Sequence, residues 1–230
     1  MNSPTRLLWA LLPALCLAVA GCTRELPLGS PGAQERVPPI AYTTLWPLAT
    51  RSGAYQITEG KGVGDTIEYA LKSEDGRWHL QLKGKTDVIL SAQPDGSVQI
   101  EREDDAVEAV TVTYSPPLVI PAILKTGKPF EGTSDVVIRR QSDAHIREQG
   151  TCSYKVELLG RQTLTTPAGE FDAYVVRTIR TMKLRLARVK VVIFDAYVPN
   201  QGEVAERIEQ TVRPLYLMAS TTREERRLLR

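Results

Sequence analysis

Thr66-Ile67-Glu68-Tyr69-Ala70-Leu71-Lys72-Ser73-Glu74-Asp75-Gly76-Arg77-Trp78-His79-Leu80-Gln81-Leu82 is the run that decides the fold. Ile67, Tyr69 and Leu71 alternate with polar neighbours, and so do Trp78, Leu80 and Leu82. A period of two sends every second side chain to the same face of an extended chain. Asp75-Gly76 lies between the two alternating runs, and this pair accepts the positive φ angles of a two-residue hairpin turn. The run therefore predicts two antiparallel strands with one face on a core and one in water.

The same pattern continues on both sides. Val98 and Ile100 follow a second Asp-Gly pair, Asp95-Gly96, and Gly84-Lys85 marks a turn between them and the first hairpin. Gly60-Lys61-Gly62-Val63-Gly64 reads as a flexible hairpin connection. Further on, extended runs cover Thr151 to Thr165, the stretch after Asp172 to about Leu186, Arg188 to Tyr197, Glu203 to Arg213 and Leu215 to Thr222. Two segments break the pattern. Ser115-Pro116-Pro117-Leu118-Val119-Ile120-Pro121-Ala122-Ile123-Leu124 is apolar but carries three prolines, which cannot donate to a ladder, so it is expected to be a long packed loop or a short helical turn. That loop would cap one end of the sheet or line a ligand mouth. The tail from Thr222 to Arg230 has helix-friendly composition. The expected fold class is all-β: a curved antiparallel sheet, open or partly closed into a barrel, with one long Pro-rich loop and little helix.

The chain has 230 residues, 42% apolar, 24% charged and 6% aromatic, with a net charge of +2. This composition suits one globular domain and excludes a disordered chain or a multi-span membrane protein. The small net charge excludes a dominant nucleic-acid footprint.

The amino terminus belongs to another regime. Arg6 precedes an unbroken apolar run from Leu7 to Ala20 that is closed by small residues. At about 14 residues the run is shorter than the roughly 20 needed to span a bilayer, so residues 1–21 read as an export signal. Val19-Ala20-Gly21-Cys22 resembles the lipobox of bacterial lipoproteins. The resemblance implies cleavage before Cys22, lipidation of that cysteine and anchorage to a membrane through the lipid. Two or three acyl chains anchor stably, where one anchors only marginally. By likeness to lipoproteins of enterobacterial type, the absence of Asp after Cys22 implies the outer membrane, with the domain facing the periplasm. Residues 22–40 read as the lipidated cysteine and a tether with Pro27, Pro31, Pro38, Pro39 and interspersed glycines, in which the stretch from Thr23 to Ile40 reaches at most about 56 Å at about 3.1 Å per residue. Residues 41–230 form the single β-domain.

In the second half, Thr165-Thr166-Pro167-Ala168-Gly169-Glu170-Phe171-Asp172-Ala173 and Tyr197-Val198-Pro199-Asn200-Gln201-Gly202, together with Pro116-Pro117-Leu118 and Gly127-Lys128-Pro129-Phe130, are similar to segments of uncharacterised bacterial envelope β-proteins. The likeness covers roughly residues 110 to 215 and rests on turn chemistry. By architecture alone, a lipid-anchored curved sheet also resembles the half-barrel carriers of the LolA/LolB kind.

Catalytic and metal chemistry finds little footing. His79 and His145 have no second His or Cys at metal-ligand spacing. Gly84-Lys85-Thr86 lacks the first glycine of a phosphate loop, because His79 stands in its place. Glu101, Glu103, Asp104 and Asp105 lack the residue order of a calcium loop. No Gly-x-Ser-x-Gly elbow occurs. With Cys16 removed and Cys22 lipidated, Cys152 remains as a lone thiol that reads as a small buried hydrophobe. No enzyme activity, metal or cofactor is expected.

The charge feature that remains is Arg177, Arg180, Lys183, Arg185, Arg188 and Lys190, with Lys183 and Arg185 opposite Met182, Leu184 and Leu186. These cations form either a solvated face balanced by Glu206 and Glu209 or a strip that meets anionic headgroups or an acidic partner. Three functions follow as alternatives: a scaffold lipoprotein holding an envelope protein partner, a carrier of a lipid or other apolar ligand with Pro116 to Leu124 near its mouth, and, third, a hydrolase.

Overall fold

In the computed structural model the described residues are Leu28, 37–215 and 218–229. The export signal, Cys22 and most of the tether lie outside them. In chain order the elements are β1 (Ile40–Ala41), α1 (Tyr42–Leu45), β2 (Arg51–Glu59), β3 (Thr66–Glu74), β4 (Arg77–Leu82), β5 (Thr86–Ala92), β6 (Val98–Asp105) and β7 (Val110–Ile120). They continue with β8 (Ile123–Leu124), β9 (Phe130–Arg140), β10 (Ile146–Thr166), β11 (Gly169–Leu184), β12 (Ala187–Val198), β13 (Gly202–Pro214) and β14 (Ser220–Leu228). All the strands except β1 and β8 close into one antiparallel barrel of order β10-β11-β12-β13-β14-β2-β3-β4-β5-β6-β7-β9. The all-β expectation holds, and the sheet closes fully because β14 pairs with β2 and β9 with β10.

The alternation read from the sequence fixes which face is inside. Tyr69 and Leu71 stand in register with Leu82 and Leu80, and Leu80 with Val88. Leu71, Leu90, Val98, Val136 and Cys152 are shielded completely or almost so. The outward row carries Glu68, Lys72, Asp135, Thr151 and Lys190, all exposed. Polar outside and apolar inside is the reverse of a membrane-spanning barrel. At the Asp75-Gly76 turn both residues take positive φ, 50° and 76°, as the dipeptide required.

The Pro-rich segment departs from its expected loop. β7 runs straight through Pro116 and Pro117, with a cis bond between Ser115 and Pro116. The strand accommodates them because the β6 register jumps from Leu118 to Thr113, and β9 pairs only as far as Ser115. Both prolines therefore sit where no ladder donor is needed. The N–H of Val119 is taken up by the Tyr154 hydroxyl at 3.0 Å. Gly132, on the intervening strand, makes room for that ring, since a Cβ there would lie 2.4 Å from it. The tail is the second departure. Residues 220–228 form β14 rather than a helix, because pairing with β13 and β2 supplies backbone partners along both edges.

Hairpin turns alternate between the two barrel ends, and the ends are built differently. One end is sealed by the chain entering it: Tyr42, Leu45 and Trp46 are buried among Leu71, Leu90, Leu118, Leu124, Tyr154 and Tyr197. β1 pairs there with β8, and the Tyr42 N–H donates to the Ala122 carbonyl at 2.9 Å. The end of the Pro-rich segment thus does cap the barrel. After a bulge between Leu158 and Gly160, the β10–β11 hairpin runs on past the barrel and lies across the outside of β12–β14. Leu164, Ala173 and Val175 bury there against Ala196, Val204 and Ala205. Leu28 packs into the same cluster, and its carbonyl accepts from Arg227 at 3.5 Å.

Candidate functional site

Inside the barrel the core gives way, partway along, to charge. Arg180 projects inward from β11 and pairs across the interior with Glu103 of β6, whose other oxygen accepts from the Tyr114 hydroxyl at 3.2 Å. Beside this pair, Arg226 of β14 holds Glu206 at 2.9 Å and Glu203 at 3.4 Å, with its guanidinium 5.0 Å from the centre of the Tyr55 ring. Asp195 stands in cross-strand register with Glu206. Asp195, Glu203 and Glu206 each place a carboxylate oxygen within 4.8 Å of the others. Burial and the neighbouring charges of Glu206 and Glu203 push the Asp195 carboxyl far above its usual range. Burial raises Glu206 to about 7, against the opposing pull of Arg226. The trio offers hard oxygen donors of the calcium or magnesium kind, but the Arg226 guanidinium already occupies both glutamates.

Beyond this charged belt the interior opens. Val191, Ile193, Ile208 and Val212 project inward by register and are only half-buried, whereas Leu71, Leu90, Val98 and Leu118 under the plug are shielded; Met182 and Leu184, also half-buried, pack against the plug's core cluster. Lys85, on the β4–β5 turn, reaches Glu224 of β14 at 2.5 Å across the intervening β2 and β3. The open end is therefore an apolar-walled mouth over a charged floor, with one ion pair at its edge. The interior charges escaped the sequence reading because charges on both faces of β14 hide the strand period. Asp195, a lone acid inside Val191-Val192-Ile193-Phe194-Asp195-Ala196-Tyr197, was the available signal.

The six cations divide. Arg180 belongs to the interior, and Arg177 is bound outside by Glu157 at 2.5 Å. Lys183, Arg185, Arg188 and Lys190 are exposed at or near the open end. The acids expected to balance them are occupied elsewhere: Glu206 by Arg226, and Glu209 by Arg207 and Arg223. Cys22 lies outside the described residues.

The remaining residues singled out from the sequence are not brought together. Cys152 is fully buried, and burial raises its thiol. The His79 Nδ1 lies 3.5 Å from Asp87 on the outer face. His145 meets Asp143 through its backbone N–H, the geometry of a turn and not of a relay. An outer groove of about 750 Å³ along β2–β5 includes Gly84, Lys85 and Thr86, and it is lined by self-paired groups such as Lys83 with Glu68.

No family model matches the chain, and no curated protein matches it significantly. Two solved structures resemble it: a provisionally assigned lipoprotein of Parabacteroides distasonis and the hypothetical lipoprotein YmcC of Escherichia coli. Each is 13% identical with a TM-score of 0.39 over 81% of this chain, covering 97% and 88% of the respective relative.

Proposed function

We propose that the protein is a bacterial envelope lipoprotein, anchored at the outer membrane through Cys22 and facing the periplasm, that works as a non-enzymatic carrier of a lipid or other apolar ligand. The carrying observation is the contrast between the ends: a shielded core under the plug and a half-buried apolar wall around the mouth. An acyl chain laid against Val191, Ile193, Ile208 and Val212 would remove that wall from water at about 25 cal/mol per Å². This reading does not use Pro116 to Leu124, which belong to β7, the plugged end and its β8 cap, and puts the ligand at the opposite end instead.

Native mass spectrometry of the full chain purified from membranes is expected to show a co-purifying lipid mass that is lost in Ile193→Asp/Ile208→Asp. A clean apo mass for the parent protein would overturn the reading. The second reading, a scaffold for an envelope protein partner, draws on the exposed apolar side chains at the open rim, and crosslinking from that rim in cells would reveal it.

A further inference from the structure

Five of the six hairpin turns at the open end carry an exposed large apolar side chain: Val63, Val107, Ile146, Leu186, and the pair Leu215 and Met218. Of the described exposed large apolar residues, only Ile123 lies at the plugged end. The densest sector joins the β11–β12 and β13–β14 turns, where Leu186 is 52%, Leu215 53% and Met218 93% exposed. The two turns are tied by the Leu215 N–H donating to the Leu186 carbonyl at 3.0 Å.

Under these tips lies a row of like charges. Lys183 stands opposite Arg188, and Arg188 opposite Arg213, so three neighbouring strands present cations in direct cross-strand register. Arg185 adds a fourth at the turn. No acid occurs between Val176 and Phe194 or between Gln210 and Arg223. Like charges directly opposite one another destabilise a sheet pair, so this row works against the fold that carries it.

We propose that this sector of the rim docks on the surface of an anionic lipid bilayer, with Lys183, Arg185, Arg188 and Arg213 at the headgroup phosphates and Leu186, Leu215 and Met218 entering the headgroup–acyl boundary. Single apolar residues on separate hairpin tips suit an interface that each tip can penetrate, rather than the continuous packed core of a protein partner. Residues 40–46 lie at the opposite end, so the docked membrane is met by the barrel end remote from the plug. The inference rests on the carrier reading in one respect: docking would bring the apolar mouth to the lipid surface.

The test is partition of the full chain between phosphatidylcholine vesicles and vesicles rich in phosphatidylglycerol, so that any contribution of the amino-terminal lipid is common to both. Preference for the anionic vesicles is expected at low salt and should largely vanish when salt rises from about 0.15 M to about 1 M. Lys183→Gln/Arg188→Gln/Arg213→Gln should reduce that preference on the order of a hundredfold, about fivefold per cation. Met218→Asp should weaken anionic binding without altering the native circular dichroism. Equal partition into both vesicle types, or an unchanged preference in the triple variant, would overturn docking. Selective retention of an acidic protein with no vesicle preference would overturn it in favour of a protein partner. Lipid co-purification in the triple variant reports on the mouth alone, so failure of the rim and failure of the carrier reading are distinguishable.

Discussion

Asp195 is the residue on which the interior chemistry turns. It is 9% exposed, and its carboxyl is raised first by burial and then by Glu206 and Glu203, so the folded protein binds a proton there that the unfolded chain releases. A raised carboxyl stabilises the fold below its unfolded value, and that contribution is lost as pH rises towards the folded one. Glu206, pushed up to about 7, acts in the same direction. The protein is therefore expected to lose stability as pH rises from about 4, the unfolded carboxylate range, through about 7, where Glu206 titrates in the folded chain. Asp195→Asn should flatten that pH dependence, since the amide takes up no proton in either the folded or the unfolded chain. Urea denaturation of both proteins across the range checks this, and parallel pH profiles would refute the assignment. The sequence showed this residue only as an acid in an apolar run. What makes it unusual, two further carboxylates across the ladder, depends on register.

Among the elements, the hairpins were the most legible. Asp75-Gly76 carried its own turn geometry, and the alternation around it carried its own facing. Where reading failed, local chemistry had been overridden by pairing. Pro116 and Pro117 argued against a strand, yet β7 continues because its neighbours skip those positions. The charged run at 222–230 argued for a helix, yet the two free edges of β13 and β2 recruit it as the closing strand. The plug was invisible for a different reason: Tyr42-Thr43-Thr44-Leu45-Trp46 is too short to show a period, and only its burial reveals its role. Leu45 is fully buried at its centre, so Leu45→Ala should cost about 2–5 kcal/mol by leaving a cavity. A thermal melt shifted by far less would mean that the plug is not part of the cooperative unit.

On the scale of the whole molecule, the barrel is polarised along its axis. Core, aromatic plug and incoming chain sit at one end, and a belt of ion pairs crosses the middle. The other end combines an apolar wall, an apolar-tipped rim and exposed cations. Alternation along single strands announced the apolar lining but not this gradient, because depth along the axis is set by closure and stagger, which no local pattern records. The same limit hid the division of the six cations. Arg180 and Lys183 lie three residues apart, and the odd spacing put one in the interior and the other on the rim.

The proposed carrier role puts the ligand at the open end, and a reporter on the mouth wall tests that directly. Ile193→Trp places an indole beside the expected site, while Trp46 stays within the plug. Adding a brominated acyl ligand is expected to quench the variant's emission well beyond that of the parent protein. Equal quenching in the two proteins would contradict the account, because it would show that no acyl chain reaches the mouth.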